Sequence, residues 1–425
     1  MAKSNYQLIN KRRFEYLRRF FFAQTPLKLV SFKKGVQTMN TFGMQLSRRQ
    51  FIQQLGLGAA WIGLAANTSF AFANNTAILP FRQNALPLLL HYNENSLGMS
   101  PNALSAARFA IERYGNRYPS ASVDEFKVKL ADHHQVKPEQ LIFGNGSTEV
   151  LQAIATYAAR QHATMIEPSP TFGALRGYCK AENLNVIQVP VGQNFEMNIA
   201  AMKKQAMAQT GSVLINICNP NNPTGNIVDF TIMFDWINNA PETHFFLLDE
   251  AYFDYAQANP RYKSGLDLIN QGKDNVIISR TFSKVHGMAG MRMGYGIATI
   301  KTANKIKPFA AGFNLSVAGI AAASAALDDK EFYKKSIEYN QLSRTILVNT
   351  LNELDLEYVP SQTNFILHKI GTPFADYTEH MQRNGVRVGR KMTLGDRWNR
   401  ISLGTPDEMK MFSQTLKAFR QHGWV

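Results

Sequence analysis

Beyond residue 87 the chain alternates between short runs of β-branched and aromatic residues and stretches whose apolar positions recur at helical spacing. The β-type runs fall at residues 141–143, 164–167, 185–189, 213–218, 245–249, 276–279 and 292–297. Strands separated by helices pair in parallel, because each crossover helix brings the chain back to start the next strand in the same direction. The pattern therefore predicts an α/β fold with seven strands in one large, mostly parallel sheet. After about Ala310 it changes. A long helical stretch over 324–351 leads to an apolar run at 364–368, a helix near 374–384, a strand near 386–388, the run 400–403 and a last helix from Pro406. These predict a second, smaller α+β domain, with residues 88–114 packing beside it. The expected divisions are 1–73, an extension; 74–118, an arm and part of the small domain; 119–315, the large domain; and 316–425, the rest of the small one.

Charge changes the picture only at the N-terminus. The net charge is +15, but residues 1–73 hold eleven Lys/Arg against the single acid Glu15 and so carry +10 of it. The remainder shows no basic run interleaved with aromatics, which argues against a nucleic-acid partner. Within the extension, Arg48-Arg49 precedes an uncharged stretch whose apolar part spans residues 55–66, and Ala71-Phe72-Ala73 follows. This order resembles a twin-arginine export signal with a small-residue cleavage site. Its apolar part holds about a dozen residues, short of the ~20 needed to span a bilayer. Cleavage and a periplasmic location, reached through the twin-arginine export machinery, are therefore expected, with a cytoplasmic location if the signal is not used. Cys179 and Cys218 lie far apart with no CxxC pair and no His cluster, so neither a disulfide nor a metal is expected.

The chemistry gathers where strands end. Open α/β sheets bind ligands outside the carboxyl ends of their strands, and each polar cluster here follows such an end. After 276–279 comes Thr281-Phe282-Ser283-Lys284, with Arg292 eight residues beyond Lys284. A lysine there can condense with an aldehyde, while Thr281, Ser283 and Arg292 suit a phosphate. Asp249 closes the run 245–249, with Tyr252 three residues on. Asn222 lies in the turn 219–225, which by itself reads as a plain Pro/Asn/Gly turn. Gly146-Ser147-Thr148 opens a helix whose free N–H groups attract anions. Phe172 can stack on a flat ring.

In this order the motifs resemble the class I/II aminotransferases of pyridoxal 5'-phosphate (PLP) fold type I, with wording similar to the histidinol-phosphate aminotransferase group, over residues 90–419. The resemblance implies PLP as cofactor, Lys284 as its covalent attachment and proton shuttle, Asp249 as partner of the pyridine nitrogen, and Tyr252 and Asn222 as ligands of the ring oxygen. It implies Phe172 as the stacking ring and Ser147, Thr148, Thr281, Ser283 and Arg292 as phosphate ligands. It further implies Arg400 as the carboxylate-binding arginine and Tyr118 as a contact to the phosphate of the neighbouring subunit, hence a homodimer with shared sites. The reaction implied moves an amino group from an amino acid or amine to a 2-oxo acid.

The donor is less determined. Relatives that take histidinol phosphate tend to carry an arginine directly after a Gly-Val-x-Val strand. Here Gly389 stands there and Arg390 follows, which leaves an aromatic or other amino-acid transaminase open. A decarboxylase or lyase of the same fold, and a non-catalytic PLP-binding protein, remain rival readings.

Overall fold

The computed structural model describes Leu79, residues 86–392 and residues 394–425. The basic extension and the export signal expected over residues 1–73, Arg48 and Arg49 included, lie outside them.

Twelve strands form three sheets among the described residues. Strands β1 (Leu88–Leu90), β2 (Leu141–Asn145), β3 (Thr164–Ser169), β4 (Val186–Pro190), β5 (Val213–Cys218), β6 (His244–Asp249), β7 (Val276–Thr281), β8 (Met293–Ala298), β9 (Tyr358–Val359), β10 (Phe365–Lys369), β11 (Val386–Val388) and β12 (Trp398–Ser402) follow in chain order. The large sheet runs β2-β8-β7-β6-β5-β3-β4, with β8 antiparallel to both of its neighbours and the other pairings parallel. All seven strands expected from the pattern are present. Side chains alternate between the two faces of a strand. Thus Leu214, Leu247 and Ile277 enter one core with Val150, Ile154 and Ile142, whereas Ile215, Ile217, Phe246, Leu248 and Ile278 enter another with Trp236 and Phe282. Both faces are covered, which is why β5 reads as one continuous apolar run.

The smaller part holds the antiparallel sheet β12-β10-β9 and the parallel pair β1-β11. Its core gathers Leu90, Leu347, Ile366, Tyr377, Phe412 and Phe419. Helix Pro406–Gln421 begins on a reciprocal cap, Thr405 and Glu408 each bonding the other's backbone N–H.

Two helices depart from the expectation. Pro101–Tyr114 and Val317–Asp328 lie against each other, and Ala103, Ala107, Ile320, Ala322 and Ala323 share the core of the large sheet. The sequence pattern groups both with the smaller part. Their small buried residues instead allow close packing on the sheet side, while β1 joins the smaller part by pairing with β11.

Candidate active site

The register of the large sheet fixes the centre of the site. Cys218 pairs with Asp249 and Asp249 with Ser279, so β5, β6 and β7 end side by side. The turn after β5 supplies Asn222, the end of β6 supplies Asp249 and Tyr252, and the turn after β7 supplies Ser283 and Lys284.

Asp249 is buried, and the one hydrogen bond to its carboxylate among the described residues comes from the Ala251 N–H at 3.3 Å. Burial pushes its pKa up to about 7, reinforced by Glu250 and opposed by Lys284. Lys284 is partly buried. Its Nζ donates to the carbonyls of Asn93 at 3.0 Å and Tyr92 at 3.4 Å and sits 5.4 Å from the centre of the Tyr252 ring. Burial lowers the amine to about 8, Arg400 and Arg292 acting in the same sense and Glu94 and Asp249 against it. Taken together, an acid and an amine are both displaced toward neutrality in one pocket, the condition for moving protons near pH 7.

Tyr252 is buried, and its hydroxyl oxygen accepts from Asn93 Nδ2 at 3.0 Å and Asn222 Nδ2 at 3.4 Å. Arg400, on β12, reaches the same cluster. Its Nη1 donates to Asn222 Oδ1 at 2.7 Å and its Nη2 to the His91 carbonyl at 2.9 Å, while Nε is buried with no hydrogen-bond partner among the described residues. Burial lowers the Arg400 pKa, with Tyr252 opposing and Arg390 assisting. A buried guanidinium with no carboxylate beside it is suited to receive one from a ligand.

The anion cradle forms where β2 meets helix Ser147–Arg160. The helix has no side-chain cap, because Gly146 stands at its start with φ +77°, so its first N–H groups stay open. The φ of Gly146 is one that residues with a Cβ rarely adopt, and a Cβ there would lie 2.1 Å from Arg292 Nη2, which would have to move. The pattern places Arg292 at the start of a strand. It stands instead one residue before β8 with φ +55°. That turn sends its guanidinium back across the helix start, to Thr148 Oγ1 at 3.2 Å, Asn145 O at 3.4 Å, Ser283 Oγ at 3.5 Å and Ala289 O at 2.9 Å. Thr281 donates to Ser283 Oγ at 2.9 Å. Thr148, Thr281, Ser283 and Arg292 are thus joined by hydrogen bonds beside the helix start that Ser147 opens, a set of donors whose chemistry suits a phosphate.

The remaining candidates sit differently. Phe172 is half-buried and packs against the core on one face of the sheet, next to Thr171, which bonds Asn221 Oδ1 at 2.7 Å. Tyr118 is 81% exposed, its ring 5.1 Å from that of Phe313, itself 74% exposed. Among the described residues no hydrogen bond ties it to Arg292 or its partners. Arg390 is exposed just past β11, and Gly389 before it is tightly held: a Cβ there would lie 2.3 Å from the Arg400 carbonyl oxygen.

Four participants escape motif reading: His91, Tyr92, Asn93 and Asn364. The Asn364 Nδ2 donates to the carbonyls of Asn93 and Glu94 at 3.0 and 3.2 Å. A signal was available, since His91–Asn95 is itself a polar cluster following an apolar run. Cys179 and Cys218 are free and buried, burial raising both thiols, the first to about 12.

Strand ends that gather an amine, an acid and an anion cradle define the class: the chain belongs to the class I and II aminotransferases, whose family model matches residues 87–416. It is accordingly a PLP-dependent transaminase. The chain is 33% identical over 318 residues to a histidinol-phosphate aminotransferase of Bacillus cytotoxicus, covering 74% of this chain and 84% of that one. It is 34% identical over 326 residues to that of Moorella thermoacetica, covering 76% and 83%. Among solved structures, a chain from Erwinia carotovora atroseptica described as a candidate histidinol-phosphate aminotransferase superposes with TM-score 0.78 at 37% identity, over 80% of this chain and 97% of that one. The Sinorhizobium meliloti enzyme of that name, solved with PLP, gives 0.73 at 23% identity over 85% and 100%, a likeness of fold.

Proposed function

We propose that the chain is an exported transaminase acting on carboxylate-bearing amino donors and 2-oxo acids. The observation that carries this reading is the convergence of Lys284, Asp249 and an unpaired, buried Arg400 on one pocket. Bound PLP supplies an aldehyde that takes up the amino group and a ring that accepts the electron pair of the broken Cα–H bond. Lys284 would be the attachment point for the aldehyde, and its amine, once free, would carry a proton between the substrate Cα and the cofactor carbon on the other side of the transferred nitrogen. An amine lowered to about 8 can do both near neutral pH. Asp249, in its ionised form, would keep the ring nitrogen protonated. Tyr252 and Asn222 would donate to the ring oxygen, Phe172 would cover one ring face, and the donors around Arg292 would hold the phosphate. Arg400 takes the carboxylate by paired donors.

Histidinol phosphate as donor is a second reading, supported by the names of the curated relatives. Against it, an arginine directly after Val388 does not fit this backbone, because Gly389 lies against β12. Arg390 is then the residue left to meet a phosphate ester. Screening purified protein with amino donors, histidinol phosphate among them, against 2-oxo acids while following the cofactor absorbance tests both. Turnover with amino acids and 2-oxo acids is expected; consumption of a donor without any acceptor would point to a decarboxylase or lyase instead. Loss confined to phosphate-bearing donors in Arg390→Ala would restore the second reading.

Tyr118 and Phe313 form an exposed aromatic pair that suits a homodimer in which Tyr118 reaches the partner's phosphate. Export rests on Arg48 and Arg49: the double substitution to lysine should leave unprocessed protein in the cytoplasm, and mature periplasmic protein from that variant would contradict it.

A further inference from the structure

β1 is followed by His91-Tyr92-Asn93-Glu94-Asn95, a segment that both parts of the molecule grip. From the smaller part, Arg400 holds the His91 carbonyl and Asn364 those of Asn93 and Glu94. On the large-sheet side Lys284 holds the Tyr92 and Asn93 carbonyls, and Asn95 Nδ2 donates to the Val285 carbonyl at 2.8 Å.

Asn93 is the node of this segment. It is fully buried with φ +55°, in the left-handed region that asparagine tolerates. Its backbone N–H donates to Ser402 Oγ at 2.8 Å. The Ser402 oxygen is an acceptor there, so its own hydrogen goes to Asn93 Oδ1 at 3.2 Å. That fixes the amide, with Nδ2 facing the Tyr252 hydroxyl at 3.0 Å. A phenol oxygen has two acceptor sites and one hydrogen. With Asn93 and Asn222 both donating to it, the hydrogen must point to a third partner, and no acceptor takes it among the described residues.

We infer that Asn93 is a positioning residue: its amide, oriented by Ser402, turns the Tyr252 hydroxyl hydrogen toward the cofactor's ring oxygen, while its backbone carbonyl receives the Lys284 amine. The inference rests on the reading that Tyr252 and Lys284 face PLP. A hydroxyl that accepts hydrogen bonds is a stronger donor. Its donation favours the negative form of the ring oxygen, and so lowers the pH at which the nitrogen joining Lys284 to the cofactor loses its proton. Taking away the Asn93 amide should raise that pH.

The test is a pH titration of the absorption band of the loaded protein. Asn93→Gly deletes the amide yet keeps the left-handed backbone accessible, and Asn93→Asp keeps the shape but replaces the donor with an acceptor. The midpoint should rise by about half a unit to one unit in Asn93→Gly, and further in Asn93→Asp. Ser402→Ala, which leaves Asn93 in place but frees its amide to turn, should give a smaller rise and carries the test if the Asn93 variants do not fold. A merely structural role moves thermal stability but not this midpoint. Midpoints equal to wild type in Asn93→Gly and Ser402→Ala overturn the inference. A wild-type protein with no pH-dependent cofactor band overturns the parent reading, and this one with it.

Discussion

Asp249 and Glu250 are neighbours in the chain, both buried, and lead into two opposite environments. Glu250 is saturated: its carboxylate accepts from Arg280 Nε at 3.0 Å and Nη2 at 2.8 Å, from Ser264 Oγ at 2.9 Å and from the Gly265 N–H at 2.7 Å. Arg280 in turn lies 3.7 Å over the Phe253 ring and approaches His134 Nδ1 at 3.3 Å. Burial and Arg280 push His134 far down, so it stays neutral and Nδ1 can accept, leaving Nε2 to donate to the Tyr295 hydroxyl at 2.7 Å. Asp249 has one backbone donor and a pKa of about 7. The two regions separate a charge settled by the protein from a charge left for a ligand. Burial alone does not mark function; burial without a partner does.

That contrast can be broken by substitution. The largest effect is expected on the ligand side: Lys284→Ala should abolish the covalent cofactor absorbance and cut turnover by roughly 10²–10⁴-fold or more, measured on protein reconstituted with PLP. Retained turnover would remove the lysine from its role. On the settled side, Arg280→Ala strands Glu250 in the interior and should cost about 3–5 kcal/mol in chemical denaturation. A cost near zero would mean that the ion pair is not what holds the cluster. Next, Arg400→Ala should raise KM for carboxylate substrates about 10–100-fold, one lost charged contact, and change kcat less, since it binds ground and transition states alike. A kcat loss exceeding the KM effect would place Arg400 in the chemistry instead.

The smallest effect concerns pH. A carboxyl whose pKa is raised on folding binds a proton more readily in the native state, so its ionisation destabilises the fold. The cofactor-free protein should therefore lose stability between about pH 4 and the folded value of about 7, by at most about 1.4 kcal/mol per pH unit. Asp249→Asn should remove that slope. Comparing the two proteins cancels the opposite trend from His134, whose lowered pKa makes stability rise with pH below its unfolded value. Identical slopes would show that Asp249 is already ionised in the empty pocket.

Much of this was legible in the sequence because strand ends are local. Asp249, Tyr252, Lys284 and Asn222 each follow a β-type run, and the sheet register then brings those ends together without further instruction. Arg292 was legible as a residue but not as a geometry, because its left-handed backbone and its reach to Asn145 and Thr148, 147 and 144 residues away, leave no mark in the local pattern. Asn93 was legible only as part of a polar cluster after an apolar run, and neither its role nor that of Asn364 was, since their partners lie 159 and 271 residues away and no periodicity encodes a contact between parts. The two helices grouped with the smaller part failed for a similar reason. Alanine-rich helices can pack on either neighbour, and only the tertiary arrangement decides.

Whether Lys284 carries the cofactor is decided by borohydride reduction of protein loaded with PLP, followed by digestion and peptide mass mapping. One stable adduct is expected, on the peptide containing Lys284 and absent from Lys284→Ala; an adduct on a different lysine, or none in the wild type, would take that role from Lys284.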